Sequence, residues 1–161
     1  VSIDELCLQC GLTKPTLYYY FHDKENLFVQ VLCHQLHGFH QSIEQPGTLA
    51  ERLRRVAAAI LTSFQTGIST LMHEREHLKR PESLQAVREA FHSELFGPLM
   101  TLMQEGIDRG ELAGSNAEML CLIFLGIINN FANKSDDMNL TGDTLAETLT
   151  HYFLHGALKN E

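Results

Sequence analysis

The sequence predicts an all-α protein, and three observations carry that expectation. Apolar residues recur at helical spacing along almost the whole chain. No stretch alternates in twos with β-branched residues between turn signals. Ser, Thr and Asp at helix starts, with Gly and Pro at helix stops, divide the chain into about eight segments. Composition agrees. Of 161 residues 44% are hydrophobic, which suits a folded core and excludes wholesale disorder. Twelve Lys and Arg stand against twenty Asp and Glu, a formal charge of −8. That balance argues against nonspecific coating of nucleic acid but leaves room for a local basic surface. No window reaches the roughly 18 apolar residues of a membrane span, and no basic-then-apolar leader opens the chain. A soluble, cytoplasmic protein with no membrane partner is expected.

The first helix is expected over residues 2–10, with Ser2 as N-cap, Glu5 completing a capping box, and Gly11 closing it in the left-handed region. A short second helix follows over 13–20, capped by Thr13, with Pro15 in its first turn, where the missing donor does no harm. Asp23 caps a third helix over 23–45, which Pro46-Gly47 stops. Because the chain opens on Val1 in what reads as the middle of a structural unit, a further element is expected upstream.

Thr48 opens a helix over 48–67 whose small run Ala57 to Ala59 allows close approach, and Gly67 ends it. A shorter helix is expected over 69–79, then a long one over 81–109 that Gly97-Pro98 should kink. Val87, Phe91, Leu95, Leu99, Leu102, Met103 and Ile107 form its stripe. Gly110 and Gly114 bracket a turn before a helix over 116–133, whose centre from Met119 to Ile128 has no polar face and so needs cover on more than one side. A final helix over 143–158 carries a second stripe. These last two helices are the expected homodimer interface, through Leu120, Phe124, Ile127, Ile128, Leu145, Leu149, Tyr152 and Phe153.

The most informative stretch runs from Ser2 to Phe28. Helix, glycine-bearing turn and short capped helix make a helix-turn-helix, whose second helix enters the DNA major groove. Its central run, Gly11-Leu12-Thr13-Lys14-Pro15-Thr16-Leu17-Tyr18-Tyr19-Tyr20-Phe21, followed by Lys24-Glu25-Asn26-Leu27, resembles the signature of the TetR family of transcriptional regulators nearly residue for residue. The resemblance is strong over about the first 45 residues; beyond them the chain agrees in helix number, length and apolar character. It departs in one respect: the family's DNA-binding unit has three helices, and the one that would precede Ser2 is absent. Cys7 and Cys10 stand where the family commonly has alanine.

The resemblance implies a DNA-binding unit with its linking helix over 1–45 and a regulatory, ligand-binding and dimerising domain over 46–161. It implies a homodimeric repressor that a small-molecule effector releases from a palindromic double-stranded operator. Lys14, Pro15 and Thr16 are the expected base readers, in the first helical turn where the positive dipole end faces phosphate. Thr13, Tyr18, Tyr19 and Lys24 are the expected backbone contacts. Leu6, Leu12, Leu17, Phe21, Leu27 and Phe28 should build the small core. One of Tyr18, Tyr19 and Tyr20 should also face inward, because three successive residues sweep about 300° of a helix. An effector cavity is expected among Phe64, Met72, Phe91, Leu95, Met103, Phe124 and Ile128, with His92 or Asn129 as polar contacts.

No metal and no cofactor is expected. Cys7-x-x-Cys10 supplies only two ligands, and buried cysteines ordinarily act as small hydrophobes. His34, His37 and His40 approach one face, while His73/His77 and His151/His155 are i, i+4 pairs that read more simply as solvated. Glu74, Arg75, Glu76, Lys79 and Arg80 read as a solvated charged face, and Arg52, Arg54 and Arg55 as surface. With no phosphate loop, zinc-protease motif or nucleophile elbow, nothing points to catalysis. The alternatives are a metal- or thiol-responsive regulator on the same fold, and a helical carrier or enzyme with a vestigial DNA-binding unit.

Overall fold

Local capping chemistry fixes the N-terminal elements in the computed structural model, which describes residues 2–63, 78–113, 116–132 and 141–156. In α1 (Ile3–Cys10) the Ser2 hydroxyl accepts the Glu5 N–H at 3.2 Å, and the Glu5 carboxylate accepts the Ser2 N–H at 2.9 Å, closing the expected capping box. Gly11 ends it at φ 64°, where a Cβ would be strained. Next come α2 (Lys14–Phe21) and α3 (Lys24–Glu44), each capped by the expected residue, Thr13 and Asp23. Between them His22, at φ 63° and ψ −48°, is the centre of a hydrogen-bonded γ-turn in which the Asp23 N–H donates to the Phe21 carbonyl at 2.8 Å.

The 21 residues of α3 make it the axis of the molecule. Its buried stripe is Phe28, Leu32, Leu36, Phe39 and Ile43. Packed against it is α4 (Leu49–Ser63), whose buried face is Leu49, Leu53, Val56, Ala57, Ile60 and Leu61. The last carbonyls of α3 have no partner within the helix, and arginines of α4 supply one. Arg52 Nε donates to the Ile43 carbonyl at 2.8 Å, and the Arg55 guanidinium reaches the carbonyls of Gln45 and Pro46. Arg52 and Arg55, read from sequence as surface, therefore close the end of the axial helix.

The long helix expected over 81–109 is three pieces: α5 (Pro81–Phe91), a π turn (His92–Phe96) and α6 (Gly97–Asp108). The irregularity lies one turn before the expected kink, and the same two residues cause it. The Gly97 N–H donates to the His92 carbonyl, and a Cβ on Gly97 would lie 2.9 Å from that oxygen. Pro98 in turn has no N–H for the Glu94 carbonyl. Widening breaks the expected stripe. Leu95, Leu99, Leu102 and Met103 are buried, whereas Phe91 is 40% exposed and stacks on Phe96. The π turn also aims Glu94 at α3, where its Oε2 takes His37 Nδ1 at 2.9 Å and His40 Nδ1 at 3.1 Å. The Gln41 amide beside His37 Nε2, at 3.2 Å, places the His37 proton on Nδ1.

Two helices complete the described structure, α7 (Ala117–Ala132) and α8 (Gly142–His155), with α8 lying along α4. The core from Phe28 to Leu149 is continuous. It corrects the expected interface residues: Phe124, Ile128, Leu145 and Leu149 are buried within this same chain, and Phe124 meets Phe153 edge-on at 5.0 Å. Leu120, Ile127 and Phe153 are half-buried, and Tyr152 is exposed. Because α7 turns Cys121, Phe124 and Ile128 inward, its outward apolar stripe is Met119, Leu122 and Ile123. The expected stop at Gly67, most of the helix over 69–79 and Gly114 lie outside the described residues.

Hydrogen bonds from His37, then His40, hold the Glu94 carboxyl below the ordinary glutamate range, outweighing an opposing effect of burial. A depressed folded pKa contributes stability that is complete above about pH 4.3, the ordinary glutamate value, and is lost as pH falls through the depressed one. Urea midpoints of the wild type and Glu94→Gln should therefore differ by a constant amount at neutral pH and converge in acid. A difference undiminished at the acid end would show that the tie does not depend on the Glu94 charge.

Candidate nucleic-acid interface

The second helix of the N-terminal pair is built to present its first turn. Thr13, extended at φ −93° and ψ 153°, accepts the Thr16 N–H on its hydroxyl at 3.3 Å, and the two hydroxyls lie 2.8 Å apart. Pro15 sits in the first turn, where no donor is needed. Leu17 is 2% exposed and is the one residue of α2 that is fully buried. Thr13, Lys14 and Pro15 are exposed, Thr16 is half-buried, and Lys24 is exposed at the start of α3.

The structure brings Thr13, Lys14, Pro15 and Thr16 together at one helix start, the positive end of the dipole, where an anion is favoured. Lys14 Nζ meets Asp4 Oδ1 of α1 at 2.7 Å, and this contact raises the Lys14 pKa. Tyr18, Tyr19 and Tyr20 are 41%, 77% and 70% exposed, so none faces inward as expected. Leu17 and half-buried Phe21, four apart, already fill the inward face and leave the three phenols on the rest of the circumference. Leu12, expected in the core, is 44% exposed, while Leu6, Phe21 and Leu27 are half-buried and Phe28 is buried.

A residue that sequence reasoning treated as solvated charge lies just behind this surface. Arg80 Nη2 donates to Asp23 Oδ1 at 3.0 Å and to Asn26 Oδ1 at 3.1 Å, and the Arg80 N–H donates to Glu25 Oε1 at 3.1 Å. The Asn26 N–H, and then Arg80, keep the Asp23 carboxyl below its ordinary range. Burial pushes Glu25 up, but the Arg80 N–H, Ser83 and the guanidinium together bring it down. Local pattern gives no signal for this contact, which spans 57 positions of sequence.

The expected effector cavity is not assembled among the described residues. Leu95, Met103, Phe124 and Ile128 are packed core, Phe91 and His92 are exposed, as is Asn129, and Phe64 and Met72 lie outside the described residues. An open groove lies elsewhere, lined by Met100, Thr101, Gln104, Glu105, Asp108 and Ala117. Among the described residues no group of three or more His, Cys, Asp or Glu is arranged to hold a metal ion. Cys7 is buried and Cys10 exposed, so that pair does not share a site, and burial pushes the Cys121 thiol up to about 12. His73 and His77, with Glu74, Arg75 and Glu76, lie outside the described residues; His151 and His155 stack at 4.9 Å on the exposed face of α8. Among the described residues no helix is long and apolar enough to cross a membrane.

Two short capped helices joined by a left-handed glycine, ahead of a larger helical domain, define a helix-turn-helix DNA-binding protein. The model of bacterial regulatory proteins of the tetR family matches residues 1–31. Among solved structures, a TetR/AcrR-family transcriptional regulator from Thermobifida fusca is 26% identical with a TM-score of 0.74, and the match covers 99% of this chain and 88% of that one. The TetR-family regulator PfmR from Thermus thermophilus is 20% identical with a TM-score of 0.76, covering 99% and 90%. FadR from Bacillus subtilis, a transcriptional regulator solved with stearoyl-CoA, is 18% identical with a TM-score of 0.72, covering 98% and 89%. A search of curated proteins gives no match. Residues 1–31 thus match the model of this family, and the described fold is that of TetR/AcrR-family transcriptional regulators.

Replacing Thr13 by Ala removes the acceptor of the Thr16 N–H and is expected to destabilise the protein by about 0.5–2 kcal/mol, whereas Thr13→Ser keeps it. Urea unfolding of the two variants checks this; equal losses would remove the capping role.

Proposed function

We propose that this regulator is a homodimeric repressor that reads a palindromic operator through α2 and releases it when a small-molecule effector binds. Residues 1–45 are its DNA-binding unit and linking helix, and residues 46–161 its regulatory domain. The observation that carries the reading is the capped first turn of α2, with Thr13, Lys14 and Pro15 exposed while Leu17 and Phe21 hold the inward face. Lys14, Pro15 and Thr16 face base edges, and Thr13, Tyr18, Tyr19 and Lys24 hold phosphates. To reach DNA, Lys14 exchanges Asp4 for an acceptor on the duplex.

The second copy docks on the outward stripe of α7. Met119, Leu122 and Ile123 are 54%, 53% and 46% exposed at i, i+3, i+4 spacing on one side of α7, an apolar concentration that water does not favour on a monomer. Two recognition helices related by a two-fold axis then read half-sites about one helical turn, or roughly 34–36 Å, apart. Release requires the effector to prefer the arrangement that does not fit DNA, since equal affinity for both shifts no population. The stearoyl-CoA in the FadR structure makes acyl thioesters of coenzyme A the first effectors to screen.

Selection of bound sites from random duplex DNA by the full-length protein, at fixed salt, should enrich a palindrome. Lys14→Ala should then weaken binding by about 1–3 kcal/mol and relax the preference at one base pair in each half-site. No enrichment from an intact dimer would count against operator reading. Ile123→Glu places a charge in the α7 stripe and should yield a folded monomer in sedimentation equilibrium. A dimer that survives it would move the interface elsewhere.

A further inference from the structure

Arg80 stands at the start of α5, outside the helix-turn-helix, and holds the point at which the recognition helix leaves for α3. As the N-cap residue of α5 it gives that helix no side-chain cap. Glu25, from the first turn of α3, accepts the N–H of Arg80 itself at 3.1 Å, one of the amides at this helix start. In return the Arg80 guanidinium crosses to α3. Its Nη2 donates to Asp23 Oδ1 at 3.0 Å, the same oxygen that accepts the Asn26 N–H at 2.8 Å as the cap of α3, and to Asn26 Oδ1 at 3.1 Å. Its Nε is buried 3.4 Å from Glu25 Oε1, an ion pair without a hydrogen bond. Two helix starts thus share one set of polar groups.

The place of this joint matters more than its strength. Partly exposed ion pairs contribute little to stability, but a planar guanidinium held by several acceptors fixes direction. Cys7 and Leu17, the buried residues of α1 and α2, lie outside the continuous core that begins at Phe28. The contacts that tie this pair to the rest of the described structure therefore count one by one. The γ-turn at His22 is the tight covalent link from α2 to Asp23, so what holds Asp23 and Glu25 bears directly on how α2 is aimed.

We propose that Arg80 is a positioning residue for DNA reading: without touching DNA, it sets the orientation of α2 by locking the first turn of α3 to the first turn of α5. This rests on the assignment of α2 as the reading helix. A shift of α5 is then handed to the recognition helix through Asp23 and Glu25.

The test uses the full-length protein and the operator it selects, with operator and random-sequence duplexes titrated across a salt series for wild type, Arg80→Gln, Arg80→Lys, Glu25→Gln and the Arg80→Gln/Glu25→Gln double variant. Arg80→Gln should weaken operator binding about tenfold, the scale of one lost base contact, with random-duplex affinity and the slope of log affinity on log salt unchanged. Arg80→Lys, which keeps the charge but not the fork, should fall between, and it carries the test where the Gln variant does not fold by circular dichroism. The double variant should lose no more than the worse single variant, because both act through one joint. A salt slope lowered by about 1 would make Arg80 a direct phosphate contact and overturn the proposal. Equal losses on operator and random duplex, or losses that multiply in the double variant, would overturn it as well. Failure of the wild type to select any operator is a different result, which sinks the assignment of α2 itself.

Discussion

The structure depends on how α3 is held. A helix of 21 residues spans about 30 Å, and one apolar stripe along it, from Phe28 to Ile43, belongs to the core of the larger domain while its first turn follows directly on α2. A helix shared in this way must be fixed at both ends and along its side. Three sets of polar contacts do so: Arg80 at the Asp23 end, Glu94 against His37 and His40 midway, and Arg52 with Arg55 on the final carbonyls. None of the three arises within α3. Each comes from a helix later in the chain, so the axis acquires its geometry only when α4, α5 and the π turn have packed against it.

The parts legible in the sequence are those governed by neighbours. Ser2 with Glu5, Gly11, Thr13, Pro15 and Asp23 act within three or four residues of themselves, and each caps or ends the helix that its chemistry predicts. Fold class and the exposed turn from Thr13 to Pro15 were legible for the same reason. The tyrosine run shows where local reasoning stops. Three adjacent phenols must sweep most of a helix circumference, yet whether one turns inward depends on what Leu17 and Phe21 have already filled.

What was not legible has a non-local cause. Gly97-Pro98 signals a disturbance in the backbone, but a π turn and a kink draw on the same missing donor, and only the packing of Glu94 against α3 distinguishes them. With one extra residue in the turn, Phe91 leaves the stripe that a regular 3.6-residue period assigns to it. The apolar centre of α7 is a second case. Its hydrophobicity announces burial on more than one side without saying which residues face this chain and which a second copy. Cover from the rest of the chain decides that Phe124 and Ile128 turn inward and Met119, Leu122 and Ile123 outward. The Arg80 joint, spanning 57 positions, leaves no periodic trace at all.

Charge sets the terms on which this surface meets DNA. Within residues 2–45 the lysines are Lys14 and Lys24, there is no arginine, and the acidic residues are Asp4, Glu5, Asp23, Glu25 and Glu44. One of the two lysines is already paired with Asp4 in the free protein. The counterion release that dominates most protein–DNA affinities scales with the phosphates neutralised, and within this stretch the two lysines can neutralise only a few. What remains for these residues is directional: hydroxyls, phenols, the start of a capped helix and a lysine that must give up a carboxylate for its target. Contacts of that kind lose their value when misaimed, whereas a diffuse positive field does not. In the reading proposed above, the value of the contacts from residues 13–24 therefore depends on the aim of α2, which Arg80 holds from behind through Asp23 and Glu25.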